Sequence, residues 1–265
     1  MKMTNRLKSL WADGKATTNG WIGLPHVLSV EAMASQPWDS ITLDMHHGFI
    51  DLPDLANLLA AMAGTRNAPV PLVRVPWNDP GVIYRALDAG AQGIICPMVN
   101  TAAEAEQFVR AVKYPPIGQR SFGPIRGLLR EGPAYVESAN NSCLALAQIE
   151  TRQSIQNIDS IMAVNGLDGV YVGPSDLGFD YGFPPEFDSE RPEMLALYDQ
   201  VIAAAKSHGI ATAIHNTTPA YAQKMATRGF NLVTFGSDFG FILAANQEAM
   251  AAYTGATAAN ASAGY

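Results

Sequence analysis

Cysteine is nearly absent from this chain of 265 residues, and the two that occur, Cys96 and Cys143, share no ligand-type spacing. A disulfide framework is therefore not expected; each thiol lies in an apolar, strand-like run, which predicts burial in the reduced state. Charge is also scarce, at 15% of residues, with 17 basic against 24 acidic side chains and a formal charge of −7. No window gathers Lys and Arg with aromatics as a phosphate-tracking surface requires, so nucleic acid is not an expected partner. No uninterrupted apolar run reaches the ~18 residues of a membrane span, and residues 1–8 lack the apolar core of a secretory signal. A cytoplasmic protein without a membrane partner is the expectation. The six lysines, Lys2, Lys8, Lys15, Lys113, Lys206 and Lys224, all fall in the N-terminal segment or on expected helices and connections. With no lysine behind a strand, a Schiff-base mechanism has no nucleophile.

What is abundant is apolar: 48% of the residues are hydrophobic, enough for a large core. Short apolar runs at 21–24, 41–44, 72–75, 93–96, 144–150, 169–172, 210–214 and 232–235 alternate with helical periodicity, as at 54–63, 80–89, 102–112, 192–208 and 219–228. Gly90, Gly209 and Gly229 stand where helix stops belong, just before the next apolar run. Eight such units predict a single (β/α)8 TIM barrel over residues 1–265. An open doubly wound sheet is the rival, but the glycine-rich dinucleotide turn it often carries is missing. Two segments break the rhythm. Residues 114–132 form a Pro/Gly/Arg-rich connection suited to a lid or a subunit contact, and residues 251–265 form an Ala/Gly-rich tail that is flexible or packs on a neighbour.

In a barrel of this kind the chemistry sits at the C-terminal strand ends. There the sequence places Asp44, His46 and His47; Arg74; Gln148 and Glu150; Gly173, Pro174, Ser175 and Asp176; His215 and Asn216; and Gly236, Ser237 and Asp238. Glu150 and Asp176 are one βα repeat apart and should project side by side, which favours a hard divalent cation such as Mg²⁺ or Mn²⁺ between them. The bland alternatives are a surface salt bridge for Glu150 and a helix N-cap for Asp176. Arg74 closes a buried strand, so it requires an anion: a substrate oxyanion or a neighbouring carboxylate. His46 and His47 are adjacent and point differently, so one at most faces the reacting centre.

The pieces Asp44-x-x-His47, Val73-Arg74-Val75-Pro76-Trp77-Asn78-Asp79-Pro80, Tyr114-Pro115-Pro116-Ile117-Gly118-Gln119-Arg120, Gln148-Ile149-Glu150-Thr151 and Val172-Gly173-Pro174-Ser175-Asp176-Leu177 together resemble the HpcH/HpaI family of metal-dependent pyruvate aldolases over about residues 20–238. The resemblance implies a divalent ion, Mg²⁺, Mn²⁺ or Co²⁺, on Glu150 and Asp176. It implies a pyruvate-type 2-oxo acid seated by Gln148 and the backbone of Gly173, Pro174 and Ser175. It gives Arg74 the enolate oxygen, His47 proton transfer, and Asp44 and Asp88 the support of that proton path. Trp21, Phe122, Ser175 and His215 are expected to line the aldehyde pocket. A homohexamer, a trimer of dimers with exchanged C-terminal helices, is implied too. The implied reaction is reversible cleavage of a 4-hydroxy-2-oxo acid to pyruvate, or hydroxypyruvate, plus an aldehyde. A CoA-ester lyase of the citrate lyase β-subunit type and a non-catalytic keto-acid-binding barrel are the alternatives. One departure stands out: His46 occupies the place where the family commonly carries glutamate, which bears on proton routing and aldehyde preference.

Overall fold

A computed structural model describes residues 5–255 of the chain. The elements run α1 (Arg6–Ala12), β1 (Thr17–Ile22), α2 (Val27–Ala34), β2 (Ser40–Asp44), α3 (Leu52–Ala63), β3 (Val70–Arg74), α4 (Pro80–Asp88), β4 (Gly93–Cys96) and α5 (Ala102–Val112). They continue with α6 (Ile125–Glu131), α7 (Ala134–Ser142), β5 (Leu144–Ile149), α8 (Arg152–Gln156), α9 (Ile158–Met162), β6 (Gly169–Val172) and α10 (Pro174–Asp180). The last are α11 (Pro192–His208), β7 (Ala211–His215), α12 (Pro219–Arg228), β8 (Leu232–Ser237) and α13 (Asp238–Thr254). All eight strands pair in parallel with their sequence neighbours, and β1 pairs with β8, closing the barrel. The closure rules out the open sheet.

Each expected apolar run is a strand, and the helices expected at 102–112, 192–208 and 219–228 have those bounds. Gly209 ends α11 at φ +67°, the left-handed conformation that glycine adopts without a Cβ penalty. The first strand differs from expectation. It begins four residues earlier, at Thr17, because its polar start faces inward: the Asn19 amide donates to Thr42 Oγ1 (3.0 Å) and Thr234 Oγ1 (2.9 Å) across the barrel interior. A hydrophobicity pattern misses a buried strand whose inner face is hydrogen-bonded polar groups.

Side chains on a strand alternate between faces, so every second residue enters the barrel. The inner cluster contains Trp21, Val70, Leu72, Ile95, Leu144, Leu146, Tyr171, Ala213 and Leu232. Leu7 on α1 joins it, fully buried, and plugs the floor. Two lysines are used below. Lys113 donates to the carbonyls of Asn140 and Cys143 and pairs with Asp168 at 2.6 Å, while Lys8 reaches the other Asp168 oxygen at 2.5 Å. Asp168 directly precedes β6, so these charges lie at the N-terminal strand ends.

The 114–132 connection is not a free lid. Its backbone is tied to α5 through Gln119 N to Arg110 O (2.7 Å) and Arg120 N to Lys113 O (2.9 Å), and it contains α6. Cys96 ends β4, whereas Cys143 caps α7 just outside β5; both are buried free thiols. Helix α13 continues to Thr254 with Gly255 as its C-cap, and residues 256–265 of the tail lie outside the described residues.

Truncating the floor plug should leave a cavity that the rigid strand ends cannot fill. Leu7→Ala is expected to lower unfolding stability by about 2–5 kcal/mol, read as an earlier denaturant midpoint at unchanged slope; a loss below ~1 kcal/mol would show that α1 is a passive appendage.

Candidate active site

The inward alternation that builds the core continues upward into the mouth. After Ser40 and Thr42 comes Asp44; after Val70 and Leu72 comes Arg74; after Leu144 and Leu146 come Gln148 and then Glu150; after Ala213 comes His215. In the register of β2 with β3, Asp44 and Arg74 are direct partners. Their side chains meet as a fork: Arg74 Nε donates to Asp44 Oδ1 at 2.8 Å and one terminal nitrogen donates to Oδ2 at 2.6 Å. Both side chains are buried, to 5% and 1% exposure, so the charges face each other with little water between them. Of the two partners expected for Arg74, the neighbouring carboxylate is therefore present within the chain.

Asp44 does more than neutralise. Its Oδ1 accepts the backbone N–H of His46 at 3.0 Å and of His47 at 3.4 Å, and Oδ2 accepts Trp21 Nε1–H at 3.3 Å. Burial alone would push the Asp44 carboxyl up; the hydrogen bonds and charge of Arg74, with the His46 and Trp21 donors, outweigh it and hold the group below its usual range. The turn after β2 is thus wrapped around a permanent carboxylate. Gly48 completes it, because a Cβ there would lie 2.2 Å from the Asp44 carbonyl oxygen. The His46 and His47 rings stand 4.0 Å apart. Burial, the Arg74 charge and His47 push His46 down to about 4, and burial and Arg74 lower exposed His47 as well.

Across the mouth, Glu150 is 3% exposed, so it is no surface salt bridge. One oxygen accepts Met98 N–H at 2.7 Å and the other accepts the Gln148 amide. Burial, then the Asp176 charge, raise its carboxyl to about 7 against the lowering from its donors and Arg74. Asp176 is exposed on the first turn of α10, whose N-cap is Gly173, so it is not a cap either. Gly173 is required here: a Cβ would sit 2.6 Å from Glu150 Oε2 and 3.0 Å from Gln148 Nε2. The Gly173 N–H is committed to Ile149 O and Pro174 has none, which leaves the N–H groups of Ser175 and Asp176 as those α10 itself does not use. Gln148 Oε1 is buried without a hydrogen-bond partner among the described residues.

The β7, β8 and β1 side of the mouth is aromatic. A cavity of ≈ 210 Å³ is lined by Trp21, Phe49, Phe187, His215 and Phe239, with Asp44, His47, Asn216 and Asp238 among its polar residues. Trp21 packs edge-on to His215 at 4.6 Å and beneath the Arg74 guanidinium at 4.8 Å. His215 Nδ1 and Tyr171 Oη lie 3.0 Å apart, and burial followed by the Arg74 charge lowers the imidazole to about 3, so it is neutral at any working pH. Asn216 and Phe187 are additions that the strand-end list either left without a role or did not contain; a lining residue in a connection has no periodic signal.

Two expected site residues lie elsewhere. Helices run back from the mouth to the floor, so Asp88, the last residue of α4, is near the start of β4 and pairs with Arg120 at 2.8 Å. Burial raises its carboxyl despite Arg120. Phe122 follows Arg120 in the tied-back connection, 66% exposed, its ring 6.5 Å from Tyr114, and does not line the aromatic cavity of its own chain. Sequence spacing could not see this, because the connection doubles back at Pro115–Arg120 instead of crossing the mouth.

The fork makes a separable prediction. Asp44→Asn strands a buried guanidinium and should cost about 3–5 kcal/mol. Because the folded carboxyl ionises below its ordinary 3.8, its contribution is complete above about pH 4 and is lost as pH falls through the folded value. Denaturation of wild type and variant should therefore show a gap that is flat from about pH 5 to 8 and closes only in acid; a gap that opens as pH falls would refute the assignment.

Comparison with known proteins identifies the family. The model of the HpcH/HpaI aldolase/citrate lyase family matches residues 20–245. The hydroxypyruvate/pyruvate aldolase of Rhizorhabdus wittichii is 39% identical over 247 residues, covering 93% of this chain and 98% of that protein. The 4-hydroxy-2-oxo-heptane-1,7-dioate aldolase of Salmonella dublin is 36% identical, covering 96% of each. A crystal structure of a family protein from Burkholderia cenocepacia superposes with a TM-score of 0.86 at 29% identity, covering 95% of this chain and all of that one. With a family match across most of its length and relatives of this closeness, the chain belongs to the HpcH/HpaI aldolase/citrate lyase family.

Proposed function

We propose that the chain is a metal-dependent aldolase that cleaves 4-hydroxy-2-oxo acids reversibly to a pyruvate-type 2-oxo acid and an aldehyde. The observation that carries this reading is the buried Glu150 at the mouth, which has N–H donors on both oxygens, feels the Asp176 charge, and has no cationic side chain bonded to it among the described residues. Two carboxylates with an orphaned amide oxygen beside them form an oxygen-donor set that suits a hard cation. An ion on two carboxylates would share its remaining positions with water and substrate. Glu150 and Asp176 would hold Mg²⁺, Mn²⁺ or Co²⁺. Such an ion would polarise the 2-oxo group and neutralise charge developing on its oxygen.

The protein's own groups divide the rest. His47, neutral at pH 7 and exposed at the mouth, takes the proton of the C4 hydroxyl directly or through water. The C3–C4 bond breaks, the aldehyde leaves, and the electron pair passes to the C2 oxygen as an enolate. Arg74 directs its charge to that oxygen; a preorganised charge of this kind is typically worth ~3–4 kcal/mol. Return of the proton to C3 gives pyruvate, or hydroxypyruvate where C3 carries a hydroxyl. Asp44 is a positioning residue, since it holds Arg74 and the His46–His47 turn at once. Gln148 and the first-turn amides of α10 seat the acid. Among the described residues no Lys or Arg lines the aromatic cavity, which argues against the CoA-ester alternative, whose phosphates need cations.

Asp88 can serve this site only from a second copy of the chain, because its own copy holds it at the floor. On this reading the chain works as a homo-oligomer, a hexamer with exchanged C-terminal helices, and as a cytoplasmic enzyme acting on small molecules, as the family resemblance implies. Co-expressed Asp88→Asn and Glu150→Gln chains should form hybrids that recover part of the activity each lacks alone; hybrids as inactive as their parents would confine Asp88 to a structural role.

Chelator should abolish pyruvate release from a 4-hydroxy-2-oxo acid, and Mg²⁺, Mn²⁺ or Co²⁺ should restore it, whereas borohydride with pyruvate should leave no adduct on any lysine. His47→Ala should slow exchange of the pyruvate methyl protons with deuterated solvent by roughly 10²–10⁴. Full activity in excess chelator would defeat the metal reading, and undiminished exchange would defeat the role of His47.

A further inference from the structure

Among the polar groups of the aromatic cavity, Asn216 is the anomaly. It follows β7, its backbone N–H is bonded to Thr234 O at 3.0 Å, and its side chain is 1% exposed. Yet neither its amide nitrogen nor its amide oxygen has a hydrogen-bond partner among the described residues, although the residue lines the cavity. Buried polar atoms are nearly always satisfied, and a side-chain amide left with both ends open inside a cavity marks the place of a missing partner.

The rest of the lining limits what that partner can be. Asp238 is buried and its carboxylate is already saturated, by Gly23 N (2.9 Å), Leu24 N (3.2 Å), Ser29 Oγ (2.7 Å) and Phe239 N (2.8 Å). Asp44 is committed to Arg74, His215 is neutral, His47 stands at the rim, and no Lys or Arg lines the cavity. A carboxylate entering here would meet aromatic faces and the Asp238 charge with no cation among the lining residues. A purely apolar occupant would leave the Asn216 amide unmatched.

We propose that Asn216 is the specificity-determining residue of the acceptor pocket and selects a small neutral aldehyde bearing hydroxyl groups. Vicinal hydroxyls match the amide at both ends, one donating to the amide oxygen and the other accepting from the amide nitrogen, whichever way the amide is turned. The aromatic walls cover the carbon face of such a molecule, and the ≈ 210 Å³ volume fits a chain of a few carbons. The inference deepens the aldolase reading and rests on it. It departs from a dioate substrate, whose cleavage releases an aldehyde with its own carboxylate. A site built to hydrogen-bond a hydroxyl discriminates far more strongly than an apolar pocket discriminates a methylene.

The test uses the metal-loaded protein with pyruvate as donor and compares kcat/KM for glyceraldehyde, propanal and succinic semialdehyde. Wild type should prefer glyceraldehyde over propanal by roughly tenfold or more, with succinic semialdehyde the poorest. Asn216→Leu should bring the glyceraldehyde to propanal ratio down at least tenfold, and Asn216→Ser, which keeps one hydroxyl, should hold an intermediate ratio. A ratio unchanged in either variant, or succinic semialdehyde as the best acceptor of wild type, overturns the proposal. If Asn216→Leu does not fold, the wild-type ranking and the Asn216→Ser ratio still decide. Deuterium exchange into pyruvate needs no acceptor. Exchange by wild type without a hydroxyl preference sinks this inference alone, whereas its absence sinks the aldolase reading beneath it.

Discussion

Everything at the mouth of this barrel leans on the fork between Asp44 and Arg74. A guanidinium at the end of a buried strand would be prohibitively desolvated if left alone, and a carboxylate in the same place would protonate. Strand register puts them opposite each other on β2 and β3, so each makes the other's charge permanent. That pairing then organises what surrounds it. The carboxylate folds the His46–His47 turn through two backbone N–H groups and fixes the Trp21 indole, while the guanidinium lies over the same indole and lowers the neighbouring imidazoles. A positive field reaches across the mouth and falls on Glu150.

The field explains why two acidic systems a few strands apart behave oppositely. Asp44 has a cation bonded to both oxygens and stays ionised; Glu150 is just as buried, has only neutral donors, and feels a second carboxylate. An ion pair needs nothing further, whereas on the proposed reading the Glu150–Asp176 pair is completed by an added cation. The division fits an aldolase, in which one charge must be resident to hold geometry and another must be exchangeable to meet the substrate.

The barrel was legible in the sequence because its strands are continuous apolar runs and its helices end on glycine, so periodicity and punctuation agreed. The strand-end residues were legible for the same reason: the period of two that builds the core also dictates that Asp44, Arg74, Gln148 and His215 point inward. Where that periodicity stops, so does legibility. Thr17 to Asn19 did not read as strand because their polar groups are satisfied by hydrogen bonds instead of by hydrophobic burial: Thr17 with Trp11 and the Asn231 carbonyl, Thr18 with Asp39, and Asn19 with Thr42 and Thr234. Asp88 and Phe122 lie on a helix end and a connection, whose position depends on where the chain turns, and the doubling back at Arg120 is a tertiary fact. The short helices α8, α9 and α10 have too few turns for any apolar stripe to emerge.

Asn216 shows the opposite case, a residue plain in the sequence whose meaning appears only in three dimensions. An asparagine after a strand is ordinarily a turn residue, its side chain bonding to nearby backbone. Here that backbone is already used, since Thr234 O takes the Asn216 N–H and the Thr217 and Thr218 N–H groups go to Asp188. The amide of this cavity-lining residue is left without a partner among the described residues. On the proposed reading the donor half of the mouth is built from charge and the acceptor half from aromatic surface together with the Asn216 amide. A reaction joining an anionic 2-oxo acid to an uncharged aldehyde asks for that asymmetry, because each partner must be refused by the half that binds the other.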